Sequence, residues 1–163
     1  AIQSYDLYRR THPDDREVLE RLTNLYLAAG DPIRAEEAIR RIMRFHPGEP
    51  FLYLRLGQAL QAQQSLDQAI QELQVAVGLF PGEAPLWEGL AALQERQQHY
   101  AAAGESYATL CGLRPYRRDY ALKAVRCYSL AGERASALEI CRRLLEETPD
   151  DPAVRREFEA LRF

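Results

Sequence analysis

Five prolines stand at one phase of 34 residues: Pro13, Pro47, Pro81, Pro115 and Pro149. At an average proline content of about 5%, four further hits after the first have a chance on the order of 10⁻⁵. A second ladder runs beside it with the same step of 34: Ala1, Ala35, Ala69, Ala103 and Ala137. The turn Pro47-Gly48-Glu49 returns as Pro81-Gly82-Glu83. Two ladders of one period commit the chain to repeated units, each a supersecondary element that cannot bury its own apolar face without a neighbour.

Inside each unit the apolar spacing is helical. Leu19, Leu22 and Tyr26 form one stripe; Tyr53, Leu56 and Leu60 repeat it. Trp87 and Leu90 continue it, with Gln94 in the third place, and Ala121, Ala124 and Tyr128 complete it. A second stripe runs through Ala35, Ile39 and Ile42, then Ala69, Leu73 and Ala76, then Ala103, Tyr107 and Leu110, then Ala137, Cys141 and Leu144. Each stripe covers one face of a helix of about 12–14 residues, so every unit is predicted to be a helix pair.

The turns agree. Gly30-Asp31-Pro32 and Gly132-Glu133 break the outer pairs, as glycine does beyond a helix end. Gln64-Ser65 and Gln98-His99 fill those places in the middle units and predict slight strain there. Between units, proline ends one helix and an acidic or small residue opens the next; in Asp151-Pro152 a carboxylate N-cap precedes proline at the first helical position. The alanine ladder has a steric cause. Helices joined by a short turn are closest near it, and a methyl there, opposite Thr23, Gly57, Ala91 and Val125, lets the backbones approach.

Period 34, paired helices, this alanine, the closing proline and Trp87-x-x-Leu90 together resemble the tetratricopeptide repeat family. The resemblance implies an all-α fold, a right-handed superhelical α-solenoid of antiparallel helix pairs. It covers four units, 16–49, 50–83, 84–117 and 118–151. Residues 1–15 read as the second helix of a preceding unit and 152–163 as a terminal or capping helix, making residues 1–163 one solenoid. Half-units at both ends suggest a piece of a longer array, although Arg155, Arg156, Glu157, Glu159 and Arg162 also suit a polar cap.

Composition narrows the chemistry. A net charge of −3 offers no footprint for phosphate backbones, so no nucleic acid is expected as the main partner. No apolar run approaches the roughly 18 residues of a membrane span, so no membrane insertion is expected. The segment reads as cytoplasmic, with the periplasm open. Cys111, Cys127 and Cys141 sit on helical patterns with no Cys-x-x-Cys spacing, which predicts buried thiols and neither disulfides nor zinc. His12 and His46 hold equivalent places before the repeat proline and His99 lies in another turn, so no catalytic constellation forms and no cofactor is expected. The basic residues are arginine throughout except Lys123, a bias that looks bacterial.

One stretch, YATLCGLRPYRRDYALKAVRCYSLAG, is similar to a segment of the tetratricopeptide-repeat chaperones of type III secretion translocators in its Leu-Cys…Tyr…Cys…Gly spacing. It has Arg114-Pro115-Tyr116 where those chaperones carry Asp-His-Tyr.

In this family ligands usually lie along the first helices, on the face away from the two stripes. Carried over by register, that face holds Arg21, Asn24 and Leu27; then Phe51, Leu54, Arg55, Gln58 and Gln61; then Glu88 and Glu95; then Lys123 and Arg126. Phe51 and Leu54 are apolar where the core is not, and are expected to anchor an apolar side chain of a protein segment, steered by Arg21 and Arg55. Asn24 and Gln58 can bond a peptide backbone. The family's carboxylate clamp is missing: only Asn24 fits it, with Glu20, Pro85 and Gly89 in the basic places. The expectation is a non-catalytic protein-binding scaffold. A secretion-type chaperone, a regulatory arm of a larger enzyme such as a glycosyltransferase, and self-association through the terminal half-units remain alternatives.

Overall fold

A computed structural model describes residues 2–12 and 14–162; the ladder positions Ala1 and Pro13 lie outside the described residues. Among them are ten helices and no strand: α1 (Ile2–Thr11), α2 (Arg16–Ala28), α3 (Pro32–Phe45), α4 (Pro50–Ala62), α5 (Leu66–Leu79), α6 (Ala84–Arg96), α7 (Tyr100–Leu113), α8 (Arg118–Ala131), α9 (Arg134–Glu147) and α10 (Pro152–Arg162). The first helices of the units open at residues 16, 50, 84 and 118, and α10 at 152, the period of the ladders. The chain divides into two compact units, one ending at Pro81 and the other beginning at Gly82.

In the N-terminal unit, α1 to α5 pack each on the next. Leu19, Leu22, Leu56 and Leu60 are completely or almost completely buried there, with Ala35 and Ala69 beneath them. In the C-terminal unit, α6 to α10 pack likewise. Its core joins Tyr107, Leu110, Ala124, Val125, Cys127 and Cys141, with Val154 of α10 closing the end. The four described ladder alanines have no exposed surface at all, and Thr23, Gly57, Ala91 and Val125 are buried as well. The Thr23 hydroxyl donates to the Leu19 carbonyl at 2.8 Å, so a polar group is tolerated in this tight place.

Each hairpin turn closes in one way. The amides of Asp31, Ser65, His99 and Glu133 donate to the carbonyls of Tyr26, Leu60, Gln94 and Tyr128 at 2.8–2.9 Å. This six-residue closure requires a left-handed residue just before the donor. Gly30 and Gly132 fill it at φ of 72° and 76°. Gln64 and Gln98 fill it at 62° and 60°, with a side chain in a region that favours glycine, as the sequence had suggested.

The proline ladder ends the second helices. His46, Phe80, Arg114 and Thr148, each preceding a ladder proline, sit at φ between −130° and −143° with ψ of 60–87°, outside the helical region. The proline ring clashes with a helical residue before it and sets this stop. The residues just before the next helices are Glu49, Glu83, Arg117 and Asp151. Arg117 departs from the expected acidic or small residue, because the turn there reads Arg114-Pro115-Tyr116-Arg117 instead of Pro-Gly-Glu. Asp151 behaves as anticipated: its carboxylate accepts from the Ala153 and Val154 amides at 2.9 and 3.2 Å.

Candidate functional site

In the N-terminal unit the candidate face is built by α2 and α4. Core packing takes Leu52, Tyr53, Leu56 and Leu60 of α4, which turns Phe51, Leu54, Arg55 and Gln58 to the other side. Phe51 keeps 61% of its surface exposed. Leu54 and Leu27 are half-buried, while Arg21, Asn24, Gln58 and Gln61 are exposed.

Arg55 organises this face. Its guanidinium donates to the amide oxygen of Asn24 and lies 5.5 Å from the centroid of the Phe51 ring. No carboxylate among the described residues pairs with it, and burial pushes its guanidinium below the usual arginine range, against a weak opposing pull from Glu20. The other charges are already matched. Arg21 donates twice to Glu17, at 2.9 and 3.2 Å, which raises its own affinity for its proton. Arg16 holds Glu20 at 2.7 Å and grips Glu49 with two bonds of 2.7 and 2.8 Å. Beside Arg21, a cleft of about 430 Å³ opens between α1 and α2, lined also by Tyr5, Tyr8 and Asp15.

On the corresponding face of the C-terminal unit the charged side chains have partners within the unit. Glu88 accepts a bond from the Tyr120 hydroxyl. Glu95 accepts from the Tyr107 hydroxyl at 3.1 Å and pairs with Arg126 at 3.7 Å. Lys123 places its ammonium 5.2 Å from the centre of the Tyr107 ring. Burial first, and then the Glu95 charge, push the Tyr107 phenol far above its ordinary value, so it stays a donor. Of the residues that register places on this face, Glu88, Glu95 and Lys123 each meet a tyrosine, and Arg126 meets Glu95. The signal was there: Tyr107 and Tyr120 stand where the preceding unit has Leu73 and Leu86, and each tyrosine needs a partner for its polar tip. Gln94, the odd member of its stripe, is buried and accepts from the Ser106 hydroxyl at 2.7 Å.

The three cysteines are free and buried. Burial raises each thiol above its usual range, Cys141 to about 11. Within the stretch that resembles secretion chaperones, Cys111 and Cys127 are core residues, whereas Tyr116 projects with 71% of its surface exposed. No group of three or more His, Cys, Asp or Glu placed to hold a metal ion occurs among the described residues, and no described helix is long and apolar enough to cross a membrane.

A family model described as "Tetratricopeptide repeat" matches residues 26–93, and the 34-residue step in helix starts extends to both sides of that match. The matched stretch is tetratricopeptide repeat, and the helix pairs on either side of it keep the same fold and period. Among solved structures, the crystal structure of MamA is similar at a TM-score of 0.72 with 23% identity, over 90% of this chain and 80% of that one. YrrB, described as a tetratricopeptide-repeat protein with an unusual peptide-binding site, is similar at 0.68 with 18% identity, over 95% and 80%. A tetratricopeptide-repeat protein from Parabacteroides merdae gives 0.68 with 21% identity, over 90% and 58%. At these identities the likeness is one of fold. No curated protein matches the sequence. Tetratricopeptide repeats are in general scaffolds for protein–protein interaction, and the helix-pair architecture here is of that kind.

Proposed function

We propose that this chain is a non-catalytic scaffold that binds a segment of a partner protein on the α2–α4 face of its N-terminal unit. An apolar side chain of the segment packs on Phe51 and Leu54, with Leu27 beside them. Arg55 and Arg21 steer the segment, and Asn24, Gln58 and Gln61 bond its backbone. The observation that carries this reading is Arg55: a half-buried cation over an exposed aromatic ring, with an amide oxygen and no carboxylate as its partner. A guanidinium left in that condition gains from an incoming acidic or carbonyl oxygen more than a solvated one does. The peptide-binding site named for YrrB, a protein of like fold, supports the class of ligand.

The test is a random-peptide selection on the intact chain, followed by calorimetry with Phe51→Ala/Arg55→Glu. Selected peptides should share an apolar residue, and their affinity should fall by about tenfold or more in the variant, as for a small hot spot. Equal affinity in a variant with unchanged helicity removes the assignment.

A further inference from the structure

The first helices and α10 open behind Asp15, Glu49, Glu83, Arg117 and Asp151. One of these five is inverted in sign, and it belongs to a turn that concentrates Arg114, Arg117 and Arg118 in five residues. Two of those arginines are spoken for. Arg117 grips Asp119 with bonds of 2.8 and 2.9 Å, and Arg118 reaches Asp151 at 2.9 Å. Two nearby cations are not. Arg114 donates only to the hydroxyl of the projecting Tyr116, at 2.8 Å. Arg143 of α9 has no hydrogen bond or ion pair among the described residues.

Between this turn and α9 lies a cleft of about 270 Å³. Its floor is apolar, made by Ala121 and Leu144 with Cys111, and its walls carry Arg117, Arg118 and Arg143. Glu147 stands on the rim. That carboxylate disfavours a compact polyanion, whereas separate carboxylates along a chain can meet Arg143 in the cleft and Arg114, outside it in the turn beside the lining residue Pro115. An apolar side chain between them would fill the floor.

The geometry points to a second docking surface, on the C-terminal unit, for an acidic protein segment in which an apolar residue lies between carboxylates. Charge complementarity selects this occupant: the equivalent turns carry Glu49, Glu83 and Asp150-Asp151, whereas this turn, in a chain with a net charge of −3, presents Arg114 and, across on α9, Arg143 without carboxylate partners among the described residues, beside the exposed Tyr116. Arginine and tyrosine are the side chains that most often dominate binding energy at protein interfaces. The surface is independent of the α2–α4 face and stands whether or not that one binds.

The probe is a fluorescein-labelled peptide, Glu-Asp-Leu-Asp-Glu, titrated by anisotropy against the intact chain. Wild type should bind it, more weakly as salt rises, because exposed charges are screened over about 10 Å at 0.1 M. Arg114→Glu/Arg143→Glu should weaken it about tenfold, and Arg114→Gln/Arg143→Gln by less, in keeping with two exposed ion pairs. Phe51→Ala/Arg55→Glu should leave it unchanged, which separates this surface from the first. Absence of binding by wild type overturns the proposal, as does equal binding of the Gln-Asn-Leu-Asn-Gln peptide. So does undiminished binding by the glutamine variant, or by the glutamate variant where circular dichroism shows it folded. Tighter binding of inositol hexaphosphate or a single-stranded oligonucleotide than of the peptide would make this a phosphate site and overturn it too.

Discussion

The same helix face, compared between the two compact units, differs in how its charged side chains are partnered. Arg16–Glu49 in the N-terminal unit and Arg118–Asp151 in the C-terminal unit occupy the same repeat positions and clasp one repeat to the next in the same way. On this shared frame the exposed faces diverge. Arg55 faces an amide and a bare phenyl ring, whereas Lys123 at the equivalent place faces a tyrosine that is itself held by a glutamate. A repeat keeps the core that stacks and leaves its outer face free to vary; here the cations of one face meet glutamate and tyrosine, and Arg55 on the other meets an amide oxygen and a phenyl ring.

The largest expected difference between the units is steric. A Cβ built on Gly104 of α7 comes within 2.7 Å of two ring carbons of Tyr128, so Gly104→Ala should cost about 2–3 kcal/mol in urea unfolding. In α4, a Cβ on Gly57 meets only the end of the Leu73 side chain at 3.3 Å, and the gain in helix propensity of about 1 kcal/mol should leave Gly57→Ala near neutral. Equal losses in both variants would mean the two hairpins are equally tight.

Next is the polar contact buried in the C-terminal unit. Ser106→Ala strands the Gln94 oxygen and should cost about 1–3 kcal/mol, and adding Gln94→Leu should recover most of it. The N-terminal unit has Leu60 at that place and offers no such rescue.

Alkaline pH should then single out the C-terminal unit, which holds all three cysteines. Their thiols stay protonated in the fold above the pH at which the unfolded chain ionises. Stability is therefore full below the ordinary thiol range and falls as pH climbs toward the Cys141 value of about 11. The loss should be on the order of 1 kcal/mol by pH 9. Thiol trapping with a disulfide reagent reads this opening directly, and a pH-independent trapping midpoint, corrected for reagent chemistry, would contradict it.

The smallest effect tests the turns. Gln64→Gly in one unit and Gln98→Gly in the other should each stabilise by about 1 kcal/mol or less, by relieving a left-handed backbone that costs a side chain about 1–2 kcal/mol. Thermal midpoints that fall instead would show that the glutamine side chains contribute contacts there.

Much of the fold was legible because it is written twice. Ladder and stripe agree on where each helix begins, and burial of Ala35, Ala69, Ala103 and Ala137 follows from the short turns beside them. The exposure of Phe51 was legible for the same reason: register puts it off both stripes. The pairing of side chains on the C-terminal face was not, since Tyr107 fits an apolar stripe equally well and only the reach of its hydroxyl to Glu95 reveals its second role. Nor could period disclose the approach of Tyr128 to Gly104, which depends on how deeply one helix sinks into the next.

The central claim is the difference between the two faces, and backbone amide shifts read it directly. A peptide selected for its apolar residue, titrated into isotopically labelled protein, should shift resonances along α2 and α4 around Asn24, Phe51 and Arg55. Those of Glu95, Lys123 and Arg126 should stay in place. Shifts centred on α6 and α8 with none on α4 would contradict the account.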